Sequence, residues 1–351
     1  MKIGLFMPTV NNGFIMSEAA PQYGPDFEYN KEVLLKAEDY GVEFALSLVK
    51  YRGFGGKTDH WHWALDSFTT IAGLAAVTDR IKLIGSVGLQ AHHPAVAARH
   101  AAMIQMISGG RFWLNIVTGW QKSEYGSLGL WRGDEHYASR YDYADEYMTI
   151  CQELWETGHS SFKGRYFELD DARLAPQPPE PITVVCAGSS DRGMRFTAEH
   201  GDYNFIFGAS VDALRETNKR LLAAGAKTGR EVKSIASIHC IMGDTDREAE
   251  EKVQRYYDGA DLEALAHMTG QASFDAAGTT AQIIQNLRVA TFMGAEVLAG
   301  TPDTIAEKLD AYREVEGLEG LMVCLDDPRR EIDRFGEQVL PKLGLATPAA
   351  S

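Results

Sequence analysis

The sequence predicts an α/β protein, a (β/α)8 TIM barrel with an insertion before its last strand. Three observations predict it. Eight short apolar runs recur along 351 residues, and several are continuous rather than alternating, as parallel strands covered on both faces require. A segment with helical spacing of its apolar residues follows each run. Glycine or proline punctuates several of those segments where helix ends favour them.

Taken in order, the strand runs are 2–8, 43–50, 81–89, 112–118, 182–187, 203–208, 234–242 and 320–325. The first helix, 30–40, stops at Gly41, a residue that accepts the left-handed backbone of a helix end. The second, 65–78, has a face of small apolar residues. The third, 94–106, opens on Pro94, whose fixed φ suits a first helical position. The fourth, 139–157, is long and stops at Gly158, and the fifth, 191–200, stops at Gly201. Segments 211–224, 246–257 and 302–315 complete the set. The main exception to the alternation is 261–300, rich in Ala, Gly, Thr and Gln, with an amphipathic piece at 280–292. It is expected to be a lid-like insertion within a single domain, 1–345, ahead of a flexible tail, 346–351. The loops 53–63 and 121–136 are long, and in this architecture the loops after strands carry the site.

Composition narrows the function. A net charge of −15 and a pI near 5.1 argue against nucleic acid and anionic membranes as general partners. Cys151, Cys186, Cys240 and Cys324 are far apart and form no C-x-x-C pair, so neither a zinc site nor a disulfide framework is expected. No apolar stretch is long enough for a bilayer, and the start, Met-Lys-Ile-Gly-Leu-Phe-Met-Pro-Thr, reads as a strand rather than a signal peptide. A soluble, cytoplasmic protein is expected.

The strand ends supply the candidates. Asn115 interrupts the apolar fourth strand, and a buried amide is costly unless something satisfies it. Ser86 stands in the third strand, where a backbone-bonded serine is the alternative. Lys50 ends the second strand, as a site residue or a solvated lysine. After the fifth strand, Gly188-Ser189-Ser190-Asp191 opens a helix; such a start binds phosphate, or Ser190 or Asp191 simply caps it. Arg140 and Tyr141 open the long helix, either to reach an anion or, for Arg140, to pair with Asp134, Asp142 or Asp145. His92 and His93 follow the third strand, as substrate contacts or loop histidines. His60-Trp61-His62 is similar to the H-x-H of metal-dependent barrel hydrolases. It lies in a loop after strand two, with no ligand pattern at later strand ends, so no metal is predicted. There is no G-x-S-x-G elbow, Walker loop or post-strand G-x-G-x-x-G.

Several runs together resemble the bacterial luciferase-like flavin monooxygenases across nearly the whole chain. They are the opening Met-Lys-Ile-Gly, residues 73–80, Ser108-Gly-Gly-Arg and Asn115-Ile-Val-Thr-Gly-Trp. Within that superfamily, Asn11-Asn12-Gly13, Ala20-Pro21-Gln22-Tyr23, residues 52–58, 118–122, 140–143, Cys186-Ala187-Gly188 and 202–208 resemble the pyrimidine monooxygenases of Rut-type uracil degradation.

The resemblance implies FMN, used in its reduced form with O2 as co-substrate, and a separate NAD(P)H:flavin reductase to supply it. It carries flavin contacts onto Val49, Lys50, Asn115, Glu124, Arg140, Tyr141 and Ser190, the last three at the phosphate. It makes Ser86 and Asn115 the walls of an oxygen pocket and the catalytic pair. Leu46, Trp120 and Phe205 would line the substrate side, with His92 and His93 beside them. The implied chemistry is attack of a flavin peroxide on a ring amide carbonyl and opening of a small N-heterocycle, uracil or thymine first. A homo-oligomer, dimer or tetramer, is the family habit.

Departures keep alternatives open. The chain reads Leu89-Gln-Ala-His-His before Pro94, and a His-Pro there resembles the sulfone- and sulfonate-cleaving branch. That branch gives the first alternative, a two-component desulfonating monooxygenase. A deazaflavin-dependent hydride-transfer enzyme on the same fold is the second. A flavin-binding protein without turnover is the third. Ser86 stands where threonine is usual, and residues 265–300 diverge strongly from the Rut-type pattern.

Overall fold

The computed structural model describes residues 1–207, 210–272 and 286–345. Strands β1 (Lys2–Phe6), β2 (Phe44–Ser47), β3 (Lys82–Gly88) and β4 (Phe112–Val117) pair in order, all parallel. A two-residue antiparallel ribbon, β5 (His159–Ser160) with β6 (Ala172–Arg173), stands outside the main sheet. The sheet continues through β7 (Thr183–Ala187), β8 (Tyr203–Phe207) and β9 (Lys233–Met242). Strand β10 (Glu296–Gly300) pairs with β9, and β11 (Leu318–Leu325) closes the barrel between β9 and β1. Eight parallel strands therefore form the closed ring, as the sequence predicts.

The ninth parallel strand, β10, is a departure from the expected insertion. Strand β9 is ten residues long: residues 233–237 pair with β8, and residues 238–242 pair with β10. The segment read as 261–300 thus ends in a strand rather than a loop. It begins with a helix, Leu262–Ala272, and includes a short helix, Leu287–Thr291. Residues 280–285 of the amphipathic piece at 280–292, and the tail 346–351, lie outside the described residues, as does Gly208 of the sixth expected strand. The second strand is also shorter than expected, so Leu48–Lys50 leave the ladder and belong to the site loop.

Alternation divides each strand between two apolar clusters. Leu83, Val87, Phe112, Leu114 and Ile116 pack outward under the helices, with Ala97, Ala101 and Tyr147. Phe44, Leu46, Ile84, Trp113, Val185 and Phe205 pack inward. The end of the barrel where the strands begin is closed by paired polar groups. Arg111, of the Ser108-Gly-Gly-Arg run, donates to Thr78 Oγ1 and to the carbonyls of Ala75, Thr78 and Ile81 at 2.7–3.0 Å. Glu38 accepts the backbone N–H groups of Asp79, Arg80 and Ile81. This end serves stability, and the opposite end, where the strands finish, is left for chemistry.

Candidate active site

On the inner face Ser86 and Asn115 stand opposite each other in adjacent strands. Their hydrogen-bond chain fixes the amide's orientation. Ser86 Oγ donates to the Ser47 carbonyl at 2.7 Å, and a carbonyl can only accept. The hydroxyl has no second proton, so toward Asn115 it accepts, and Asn115 Nδ2 donates at 2.8 Å. Ser67 Oγ braces the pair, donating to Ser47 O at 3.0 Å and accepting from Ser86 N at 2.9 Å. Asn115 Oδ1 is buried and has no partner among the described residues. Ser86 is 2% and Asn115 5% exposed, so that orphan acceptor carries the cost of a buried polar group that only a ligand or a bound water relieves.

Lys50 turns inward from the loop after β2, directly behind Val49. Its side chain is 4% exposed, and Nζ lies 3.1 Å from Glu124 Oε2. It also donates to Gln121 Oε1. The other carboxylate oxygen of Glu124 accepts the Tyr51 backbone N–H at 2.7 Å. Nζ lies over three rings, 4.6 Å from Phe54, 5.6 Å from Trp61 and 6.0 Å from Trp120. Burial lowers the Lys50 pKa and the Glu124 charge opposes that shift. The pair joins the second strand end to the start of helix Lys122–Ser127 and is neutral overall.

A third group gathers beyond β7. Ser190 caps helix Asp191–His200, accepting from Gly193 N at 3.1 Å. The Tyr141 hydroxyl presses on this turn: a Cβ at Gly188 would stand 2.4 Å from it, and one at Gly193 2.6 Å. Only glycine permits that approach. Arg140, in the first turn of helix Arg140–Thr157, donates to the Tyr137 carbonyl at 3.0 Å and lies over the Tyr137 and Tyr141 rings. Arg192 is held by Asp142 and Asp145, and Arg220 by Asp191.

Between these groups runs an arc of aromatic rings. Phe205 meets Phe6 at 5.7 Å between centroids, and Phe6 meets Phe14 at 4.0 Å. Trp61 follows at 5.7 Å from Phe14, Phe54 at 5.4 Å from Trp61, and Trp120 at 6.3 Å from Phe54. Leu46 belongs to the same cluster. Helix Leu262–Ala272 adds Ala264, Leu265 and Met268 to it. The helix is fastened by His267 Nδ1, 2.8 Å from the Phe54 carbonyl, and by Gln271 Oε1, which accepts Ser123 N at 3.0 Å.

The two histidines treated together in the sequence part company here. His93 is the N-cap of helix Pro94–Ile107, with Nδ1 accepting Ala95 N at 3.3 Å, and its ring faces Phe167. His92 Nδ1 lies 3.4 Å from the Tyr51 hydroxyl, with its ring against Phe68 and His100. His60 and His62 also separate: His60 is fully buried, whereas the His62 side chain is 67% exposed. They do not present ligands to a common point.

Sequence reasoning missed Gln121, Tyr51, Phe54, Trp61, Phe14 and Phe6. The one usable signal was aromatic density: Tyr51, Phe54, Trp61 and Trp63 crowd a loop after a barrel strand.

A closed parallel barrel with this set of strand-end residues defines a class. The family model for luciferase-like monooxygenases matches residues 1–318, and the chain belongs to that family. It is 46% identical over 347 residues to the pyrimidine monooxygenase RutA of Rhizobium rhizogenes, covering 97% of this chain and 96% of the relative. The RutA of Acinetobacter baylyi is 44% identical over 353 residues, covering 97% and 94%. Among solved structures, riboflavin lyase (RcaE) superposes with a TM-score of 0.82 at 22% identity, covering 99% of this chain and 92% of that one. The EDTA monooxygenase EmoA of Chelativorans sp. BNC1 gives 0.81 at 19%, covering 100% and 96%. At those identities the structures show the shared fold. No helix among the described residues is long and apolar enough to cross a membrane.

Proposed function

We propose that this chain is an FMN-dependent monooxygenase that uses reduced flavin and O2 to open a neutral N-heterocycle, uracil or thymine first. The observation that carries the reading is the buried, unpartnered Asn115 Oδ1 beside Ser86. It fits a cofactor whose ring edge carries N–H donors. The Gly188–Gly193 turn beneath the Tyr141 hydroxyl fits the cofactor's other end, a phosphate at a helix start. Asn115, Glu124, Lys50 and Val49 would hold the ring, and Arg140, Tyr141 and Ser190 the phosphate. When bound, reduced FMN supplies the electrons that activate O2.

The protein's own residues do the rest. Ser86 and Ser47 hold the Asn115 amide rigidly, and its second N–H offers a fixed donor at the oxygen side of a dry pocket. Leu46, Phe205 and Trp120 exclude water from the substrate side. The local charge favours a neutral substrate over a sulfonate. Lys50 is neutralised by Glu124, and burial lowers the pKa of His92. The name of the relatives at 44–46% identity points the same way. A separate NAD(P)H:flavin reductase would deliver the reduced flavin. Helix Leu262–Ala272 would cover the mouth, since it is fastened to Phe54 and Ser123. A homo-oligomer is supported by Val96, Met103 and Ile107, exposed apolar residues along one helix.

The test is oxygen uptake with enzyme, chemically reduced FMN and a panel of uracil, thymine, alkanesulfonates and a secondary alcohol. Incorporation of 18O from 18O2 into a ring-opened pyrimidine product is expected. Turnover of a sulfonate alone would give the reading to the desulfonating alternative. Oxygen-independent oxidation of the alcohol would give it to the deazaflavin one.

A further inference from the structure

His60 is the most exceptional polar residue that the site has not used. It is 0% exposed, and neither ring nitrogen has a hydrogen-bond partner among the described residues. Two unmet polar atoms in one buried side chain destabilise the fold, and a leucine or phenylalanine would fill the space without that cost.

The backbone holds His60 there deliberately. Phe54 N donates to the His60 carbonyl at 2.8 Å, and His60 N donates to Gly55 O at 2.7 Å. Its neighbours Asp59 and Trp61 both adopt positive φ, at 48° and 61°, a backbone that L residues rarely take and that is especially unusual for a bulky aromatic. Trp61 is pinned by Nε1 donating to Gly13 O at 2.6 Å, and Asp59 by its carbonyl accepting Asn11 Nδ2 at 2.9 Å. Strain of this kind persists where the surroundings over-determine a functional geometry. The ring lies 5.6 Å from Trp61, itself part of the aromatic arc and beneath Lys50 Nζ.

We propose that His60 is a substrate-binding residue: its imidazole hydrogen-bonds the polar edge of the neutral heterocycle that the aromatic arc admits. The proposal rests on the pyrimidine reading above. Burial drives the His60 pKa down to about 3; Asp261 opposes this and Lys50 adds to it. The ring is therefore uncharged at working pH, with one N–H donor and one lone pair. A cyclic amide offers both complements, a carbonyl and a ring N–H. A sulfonate offers acceptors only, and leaves the imidazole lone pair unmet.

The experiment compares wild type with His60→Phe and His60→Gln, each reconstituted with FMN. It measures KM for uracil, product formed per O2 consumed, FMN affinity by fluorescence quenching, and Tm. His60→Phe is expected to raise KM about tenfold. FMN affinity should stay unchanged and Tm equal to or above wild type, because two unmet atoms are removed. His60→Gln, which keeps a donor and an acceptor, should recover part of the lost KM; it also decides the matter if the phenylalanine variant does not fold. Wild-type KM and coupling in both variants would overturn the proposal. So would a fall in Tm or FMN affinity alongside the fall in activity, which would mark His60 as a structural residue. Failure of wild type to oxidise any pyrimidine would overturn the parent reading, and this inference with it.

Discussion

Asn115 gives one amide N–H to Ser86 Oγ at 2.8 Å, while its carbonyl oxygen, buried alongside, has no partner among the described residues. The amide is thus locked on one side and open on the other. The lock comes from the strand pairing that aligns Ser86 with Asn115 and from Ser47 O, which takes the serine's only proton. An open, oriented amide on the inner face of the barrel is what a bound ring with both donors and acceptors needs.

The Lys50–Glu124 pair should behave as a buried ion pair. Glu124→Ala leaves an ammonium 4% exposed and without its countercharge, and should destabilise the protein by about 3–5 kcal/mol in urea unfolding. Lys50→Met combined with Glu124→Leu should recover most of that loss. Additive losses in the double variant would show that the two groups are not coupled.

Gly193→Ala brings a methyl within 2.6 Å of the Tyr141 hydroxyl and 3.1 Å of the Gly188 Cα. FMN affinity should fall more than about tenfold, roughly 1.4 kcal/mol, with an unchanged circular dichroism spectrum. Tyr141→Phe in the same chain removes the clashing oxygen and should return part of the affinity. An alanine variant with wild-type affinity would remove this turn from the site.

Acid should unfold the protein through its buried imidazoles. Burial drives His60 to about 3, and His239 and His136 each to about 4. Asp261 opposes the shift at His60 and Asp326 that at His239, while Arg132 adds to it at His136. These pKa values are depressed on folding, so between about pH 4 and 6.5 the unfolded chain binds more protons than the folded one. Their stabilising effect is complete above pH 6.5 and is lost as pH falls through that window. Tm should be flat from pH 7 to 8 and drop steadily below about 6.5, less steeply in His60→Phe. A Tm independent of pH down to about 4.5 would contradict the burial of neutral imidazoles.

His93→Ala should lower stability by about 1 kcal/mol, because it removes an N-cap, and leave substrate choice alone. His92→Leu should alter substrate choice more than FMN affinity, through the Tyr51 contact. Competition between uracil and thymine, read by product ratio, separates the two. Altered selectivity in the His93 variant alone would reverse the assignment.

The barrel was legible because buried parallel strands leave continuous apolar runs, and Asn115 was legible because it breaks one. Strand β10 was not: Glu296-Val-Leu-Ala-Gly is five residues inside an Ala- and Gly-rich stretch, and its partner is the far half of β9. Lys50 was visible as a strand-end lysine, but its partners Gln121 and Glu124 lie 71 and 74 residues away, a pairing no periodicity encodes. His60 was read with His62 as a failed metal motif. Its two unmet nitrogens exist only in three dimensions.

The most direct measurement is the ratio of pyrimidine product to O2 consumed by Asn115→Ala with reduced FMN. The account predicts retained though weakened FMN binding, continued oxygen consumption and little product. Product at near wild-type yield per O2 would contradict the role given to Asn115.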